Sequence, residues 1–314
     1  PLAKLVKTDV IVPASVEFVD IAGLVRGSSQ GEGMGNQFLH AIRETDTIVH
    51  VVRCFESDAV VHVDGAIAPR RDIETIQIEL ALADLAAVER RRERVQKTAK
   101  SGDKNARAEL VVLDKMQPAL EEFKPARSVS LTDDEQSIAS TYFLLTMKPT
   151  IYAANVNEAT LNAPNENQHV TAVRDFAAEE GSECVVICAQ LEADLVDLSP
   201  TERIEYLESL GVKSSGVDQL IKSAYHVLGL MSFLTAGEKE ARAWTIPQGT
   251  RAQDAAGAIH SDIARGFIRA EIIGYEDLLR AGSYAAARDQ GLLRLEGKDY
   301  IIREGDVVHF RFNV

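Results

Sequence analysis

Apolar residues recur along this chain with two different periods, and the places where one period gives way to the other set out its organisation. Val16-Glu17-Phe18-Val19-Asp20 alternates, and Ile48-Val-His-Val-Val-Arg-Cys-Phe55 is a mostly apolar run rich in β-branched residues. Both patterns predict buried strands of a parallel sheet. Between them lies a glycine-rich loop, Gly27-Ser-Ser-Gln-Gly31-Glu-Gly33-Met-Gly35, followed by Phe38, Leu39 and Ile42 at helical spacing. The opening unit therefore reads strand, glycine loop, helix, strand.

From Asp72 to Lys100 the period changes: Ile73, Ile76, Leu80, Ala83 and Ala87 recur every three or four residues, with charges filling the other faces. This predicts a long exposed helix. Ser101-Gly102-Asp103 breaks it, and Ala108, Val112, Met116 and Leu120 resume the spacing, so an antiparallel helical hairpin is expected. Thr132-Asp-Asp-Glu135 has the form of a capping box for a short helix. Strand character returns at Pro149 to Val156 and at Cys184 to Cys188, with a helix from about Asn167 to Glu180 between them. Helices over Pro200 to Leu210 and Val217 to Leu228 follow. From Gly237 a separate mixed unit is expected: strand at Ala241 to Ile246, helix at Ala252 to Ala264, strand at Arg269 to Gly274, and a terminal hairpin around Leu293, Tyr300 and Val307 to Phe312. The fold class predicted is α/β, a doubly wound sheet with the hairpin inserted and a small C-terminal domain. The boundaries are 1–68 and 145–232 for the sheet domain, 69–144 for the insert and 237–314 for the last unit.

Composition narrows the function. The 314 residues carry a formal net charge of −14, which opposes coating of nucleic acid over the whole surface. One basic run stands against that background: Arg90, Arg91, Arg92, Arg94, Lys97, Lys100, Lys104 and Arg107, at the predicted tip of the hairpin. Its two readings are contact with RNA phosphates and a solvated helix end. No run of about 18 apolar residues occurs and Pro1 to Lys7 lacks the order of a signal peptide, so a soluble cytoplasmic protein with no membrane contact is expected. Cys54, Cys184 and Cys188 have no paired spacing, which predicts reduced thiols and no structural zinc.

Three short motifs point to nucleotide chemistry. Asp20-Ile-Ala-Gly23, at the end of a predicted strand, fits the switch of a P-loop nucleotidase, in which Asp20 holds Mg²⁺ through water and the Gly23 amide senses the γ-phosphate. Asn155-Val156-Asn157-Glu158 ends the next strand, where this class places Asn-Lys-x-Asp to read the base. Val156 for Lys and Glu158 for Asp predict relaxed or adenine-directed specificity, against the plainer reading of a helix-capping asparagine. Cys188-Ala189-Gln190 ends the following strand, where backbone amides would face the base. Gly-x-x-x-x-Gly-Lys-Ser/Thr occurs nowhere, so a strand, phosphate loop, helix and first switch, roughly fifty residues, are expected before Pro1.

Phe18-Val-Asp-Ile-Ala-Gly-Leu-Val25, Gly31-Glu-Gly-Met-Gly-Asn36, Ile42-Arg-Glu-Thr-Asp46, His50-Val-Val-Arg-Cys-Phe-Glu56 and Asn155-Val-Asn-Glu158 together resemble the YchF family of Obg-related P-loop ATPases. Glu240-Ala-Arg-Ala-Trp-Thr245, Gly266-Phe-Ile-Arg-Ala-Glu271 and Gly305 to Val314 resemble that family's C-terminal TGS domain, a β-grasp. The resemblance implies a Mg²⁺-dependent ATPase that also uses GTP and associates with ribosomes, on the large subunit and its rRNA, with a link to stress responses and no metal other than Mg²⁺. It implies a coiled-coil insert and a catalytic histidine at His62, because Leu24 stands where Ras-like proteins place the water-orienting glutamine. A neutral imidazole there would orient or deprotonate the attacking water; the plainer reading is a strand-edge histidine. Two functions compete: a nucleotide-driven switch, and a ribosome-binding adaptor in which turnover is secondary.

Overall fold

The computed structural model describes residues 1–21, 34–57 and 66–313, with side chains from Phe38 onward in the second stretch. The chain divides into two compact units, Pro1–Phe18 with Tyr225–Val314, and Val19–Ala224. The N-terminal segment supplies helix α1 (Leu2–Val6) and strand β1 (Ile11–Val12) to the first unit. The second unit contains helix α2 (Met34–Arg43), strand β2 (Ile48–Arg53), the paired helices α3 (Pro69–Lys100) and α4 (Lys104–Glu121), the capped helix α5 (Asp133–Ser140) and strand β3 (Thr150–Asn155). It continues through α6 (Gln168–Glu179), strand β4 (Glu183–Ile187), α7 (Ala189–Val196), α8 (Pro200–Ser209) and the greater part of α9 (Gly216–Val227).

Strands β2, β3 and β4 lie side by side in that order, all parallel, with Arg53 in register with Asn155 and Asn155 with Ile187. Their continuous apolar character follows from burial on both faces. On one face Tyr152, Ala154 and Val156 pack with Val170, Val173 and Phe176 of α6. On the other, α9 comes so close that a Cβ on Gly216 would stand 3.0 Å from the Ile187 Cβ, and Ser223 hydrogen-bonds the Glu183 carboxylate. Helices on both faces make the sheet doubly wound, as expected.

The hairpin forms where the spacing placed it. Ser101 and Gly102 turn the chain, Gly102 taking φ +95°, and the Asp103 carboxylate caps α4 by accepting the Ala106 N–H at 2.9 Å. Its core joins Ala81 and Val88 to Val112, Leu113, Met116 and Leu120. Ala108, expected in that stripe, is exposed, and the buried positions on α4 are Ala106, Val112, Leu113, Met116 and Leu120. A helix packed against one partner buries a stripe about 100° wide, and Ala108 falls outside it. Thr132 and Glu135 make the expected reciprocal capping box on α5.

Other expectations fail. Val16 to Asp20 form no strand: they join neither sheet, and Phe18 and Val19 are 47% and 52% exposed. Alternation assigns faces to a segment but a strand needs a ladder partner, and β2 pairs with β3 alone among the described residues. Residues 1–18, expected within the sheet domain, group with the C-terminal unit, where β1 pairs in parallel with β6 (Ala241–Pro247) through Ile11 and Ala241.

The first unit also contains β5 (Leu230–Ala236), α10 (Ala252–Ile259), α11 (Ser261–Arg265), β7 (Phe267–Gly274), α12 (Tyr275–Ala281), α13 (Tyr284–Asp289), β8 (Arg294–Glu296) and β9 (Asp306–Phe312). The sheet order is β1-β6-β5-β9-β7-β8. The terminal hairpin is therefore not local, because β7 lies between β8 and β9 and pairs antiparallel with both. The helix expected over Ala252 to Ala264 breaks at His260, whose φ of −164° and ψ of 141° are extended. Strand β5 and helices α12 and α13 were not expected from the residue pattern.

Candidate nucleotide site

The carboxyl ends of parallel strands are where α/β sheets of this kind bind ligands, and here three chain segments meet. Strand β3 stops at Asn155. Its side-chain Oδ1 accepts the Ala189 N–H at 3.0 Å, its carbonyl accepts the Cys54 N–H at 2.8 Å, and the next amide, of Val156, donates to the Ile187 carbonyl at 2.8 Å. Asn155 thus ties together the ends of β2, β3 and β4. Val156 is buried, its side chain in the core against α6, so only its backbone can face a ligand.

Asn157 accepts the Thr160 N–H at 3.1 Å and the Thr160 hydroxyl at 2.6 Å, capping a single 3-10 turn at whose start Glu158 stands exposed. Ala189 and Gln190 are exposed at the N-terminus of α7; the Ala189 amide is taken by Asn155, and the Gln190 side chain donates to Asp194 at 3.1 Å. Asp20 is exposed, with no hydrogen bond or ion pair to another described residue. Gly23, His62 and the glycine loop up to Gly33 lie outside the described residues, and Met34 and Gly35, expected in that loop, open α2.

Sequence reasoning missed Asn167. Its Oδ1 accepts the His169 and Val170 amides to cap α6, while its Nδ2 donates to the Cys54 carbonyl at 3.0 Å. An asparagine ahead of an apolar helical period signals the cap; the second bond joins residues 113 apart and leaves no trace in the local pattern. Beside it a cavity of about 430 Å³ opens among Phe55, Glu56, Asn157, Glu166 and His169. Arg53 stiffens this edge by donating to the Phe55 and Ser57 carbonyls at 3.0 and 3.2 Å, with its guanidinium 4.9 Å from the centre of the Phe55 ring. Burial, reinforced by Cys184 and Asp72, pushes the Cys54 thiol up to about 12, which leaves it an unreactive core group.

The basic run separates into two sets. The Arg91 guanidinium pairs with Glu109 and sits 4.4 Å from the centre of the Tyr142 ring, and Arg92 pairs with Asp114 at 2.6 Å, so both staple α3 to α4. Arg90, Arg94, Lys97 and Lys100 are exposed, without an ion-pair partner among the described residues.

Comparison with known proteins agrees with this geometry. Residues 4–81 match the model of the MMR_HSR1 family, described as 50S ribosome-binding GTPase, and residues 230–313 match that of YchF-GTPase_C, described as a protein of unknown function. The chain is 50% identical over 313 residues to the ribosome-binding ATPase YchF of Bacillus subtilis (strain 168), covering 100% of this chain and 86% of that protein.

The chain belongs to the YchF family.

The YchF protein of Escherichia coli O157:H7 is also 50% identical, with 100% and 85% covered. The structure of the Schizosaccharomyces pombe YchF GTPase superposes with a TM-score of 0.86 at 33% identity, over 99% of this chain and 84% of that one. The P-loop GTPase-type fold read from the sequence is therefore that of the family.

Proposed function

We propose that this YchF-family chain binds and hydrolyses ATP, and GTP secondarily, as a switch that associates with the ribosome in the cytoplasm. The carrying observation is the Asn155 side chain bonded to the Ala189 amide across the carboxyl ends of β3 and β4, in a chain half identical to proteins named ribosome-binding ATPase. In this reading the 69–144 hairpin is an insert in the nucleotide-binding domain, and the C-terminal unit is a TGS-type β-grasp. Asn155, the Val156 backbone, Glu158 and the Ala189-Gln190 turn surround the base, and Gly23 faces the γ-phosphate. The aspartate of guanine-specific proteins accepts N1 and N2 protons that adenine lacks, and Glu158 in its place fits relaxed or adenine-directed specificity. An exposed carboxylate with no partner among the described residues suits a hard cation held through water, so Asp20 would hold Mg²⁺, which would supply charge neutralisation at the phosphates. His62 would orient the attacking water.

Calorimetric titration of the protein in its full natural length with ATP and GTP in Mg²⁺, alongside steady-state hydrolysis, tests this. Asn155→Ala is expected to weaken ATP binding tenfold or more, while His62→Ala lowers kcat and leaves affinity within about twofold. Unchanged ATP affinity in Asn155→Ala would remove the proposed base site. The adaptor reading is favoured by one feature, the outward set Arg90, Arg94, Lys97 and Lys100, and predicts ribosome binding indifferent to the nucleotide.

A further inference from the structure

The chain between the insert and β3 is fastened at one end to the helix that follows the glycine loop and at the other to the long insert helix. Asp84 lies in the apolar stripe of α3 and is 1% exposed. Its Oδ1 accepts the Leu145 N–H at 2.9 Å, and its Oδ2 accepts the Thr146 N–H and the Thr146 hydroxyl, both at 2.7 Å. Thr146 Oγ1 in turn accepts the Ala126 N–H at 3.0 Å, which brings in the strand of chain leaving α4. Two residues on, the Lys148 ammonium donates to the Arg43 carbonyl at 3.1 Å and to the Thr45 carbonyl, at the C-terminal end of α2, where orphan carbonyls and the helix dipole favour a cation. Leu39 and Ile42 of α2 pack directly on Leu80, Ala83 and Leu145.

Each side of this arrangement costs free energy to undo. A carboxylate stripped of water needs all its donors, and a half-satisfied buried network is worse than none, so Asp84 and residues 145–146 move together. Burial pulls the Lys148 ammonium down from its usual range while Asp46 and Asp84 hold it up. A displacement of α2 along its axis must therefore carry residues 145–148 with it, or break the Lys148 bonds.

We infer that Lys148, with Asp84 and Thr146, is a positioning element through which α2, the helix that follows the glycine loop in sequence, and the helical hairpin communicate. It makes the hairpin's affinity for the ribosome depend on the bound nucleotide. The inference rests on the switch reading proposed above. It adds the physical route: α2 carries 145–148, and these carry the middle of α3, sixteen residues before Lys100 at the hairpin's turn, or about 24 Å of helix.

The test uses the protein in its full natural length with purified ribosomes. Ribosome dissociation constants are measured with a non-hydrolysable ATP analogue and with ADP, alongside basal ATP hydrolysis and thermal unfolding. The wild type is expected to show a ratio between the two states within the 5- to 150-fold range usual for coupled sites. Lys148→Met, which keeps the aliphatic stem, should bring that ratio to within about twofold of one while basal hydrolysis stays within twofold, and Lys148→Arg should restore part of it. Asp84→Asn should act in the same direction. For any variant with a lowered melting temperature, hydrogen exchange of residues 84–100 in the two nucleotide states is compared at a temperature where it is folded, and the wild-type difference should vanish. A wild-type ratio in folded Lys148→Met and Asp84→Asn overturns the inference and leaves the switch reading standing; a ratio of one in the wild type overturns both.

Discussion

The division of the basic run into staples and outward cations leads to a prediction that separates two roles for neighbouring arginines. Arg90, Arg94, Lys97 and Lys100 lie along α3 with ten helical rises from first to last, about 15 Å at 1.5 Å per residue, and are solvent-exposed. If each neutralises one RNA phosphate, each contributes about 0.7 to 0.9 to the slope of log affinity against log salt. Replacing all four by glutamine should therefore reduce that slope by about 3. Between 50 and 200 mM salt the wild type should accordingly lose roughly 60-fold more affinity than the variant. Arg91→Gln with Arg92→Gln removes two charges from the same turn of helix, yet these are already neutralised by Glu109 and Asp114. This pair should leave the slope within about 0.5 of wild type. It should instead loosen the hairpin, the Arg91 pair and its ring contact contributing on the order of 1 kcal/mol. Ribosome co-sedimentation across a potassium chloride series reads the slopes, and thermal unfolding reads the hairpin. A slope set by the number of cations removed, whichever they are, would refute the division; an unchanged slope in the fourfold variant would remove the tip from the interface.

Two further outcomes follow from buried contacts. His50 lies in β2 with its ring 5.7 Å from that of Tyr152, and burial lowers it from 6.5 to about 4 against the opposing pull of Asp72. The unfolded chain therefore binds the proton first, so this contribution is full above pH 6.5 and is lost as pH falls toward 4. It amounts to up to about 2 kcal/mol between pH 7.5 and 5, and urea melts of His50→Gln should lack that part of the wild-type decline. In the C-terminal unit a Cβ on Gly266 would stand 2.1 Å from the Asn313 carbonyl oxygen, while the Gly266 carbonyl accepts the Asn313 N–H at 2.9 Å. Gly266→Ala should force the ends of β7 and β9 apart at a cost on the order of 1 to 3 kcal/mol, and a melting temperature equal to wild type would show that the strand ends yield freely.

Much of this protein is legible from local pattern, and the reason is period. Helices α3, α4 and α6 and strands β2, β3 and β4 announce themselves because each buries a face whose repeat is written in consecutive residues. The Thr132 capping box and the Asp103 cap are equally local, each a side chain bonded to an amide three residues on. The motif Asn155 to Glu158 could be placed at a strand end for the same reason. What only the tertiary structure decided are partnerships between distant residues. Alternation at Val16 to Asp20 suits a strand, but no pattern within five residues can supply a ladder partner. The turns near the C-terminus suit a hairpin, yet β7 occupies the place between β8 and β9. Asn167 reaching Cys54, Arg91 and Arg92 spent on α4, and Asp84 held by residues 145 and 146 are likewise pairings made when separate elements pack. A charge in an amphipathic stripe reads in sequence as a break in the pattern. Only its three donors, brought from 61 and 62 residues away, show why it is there.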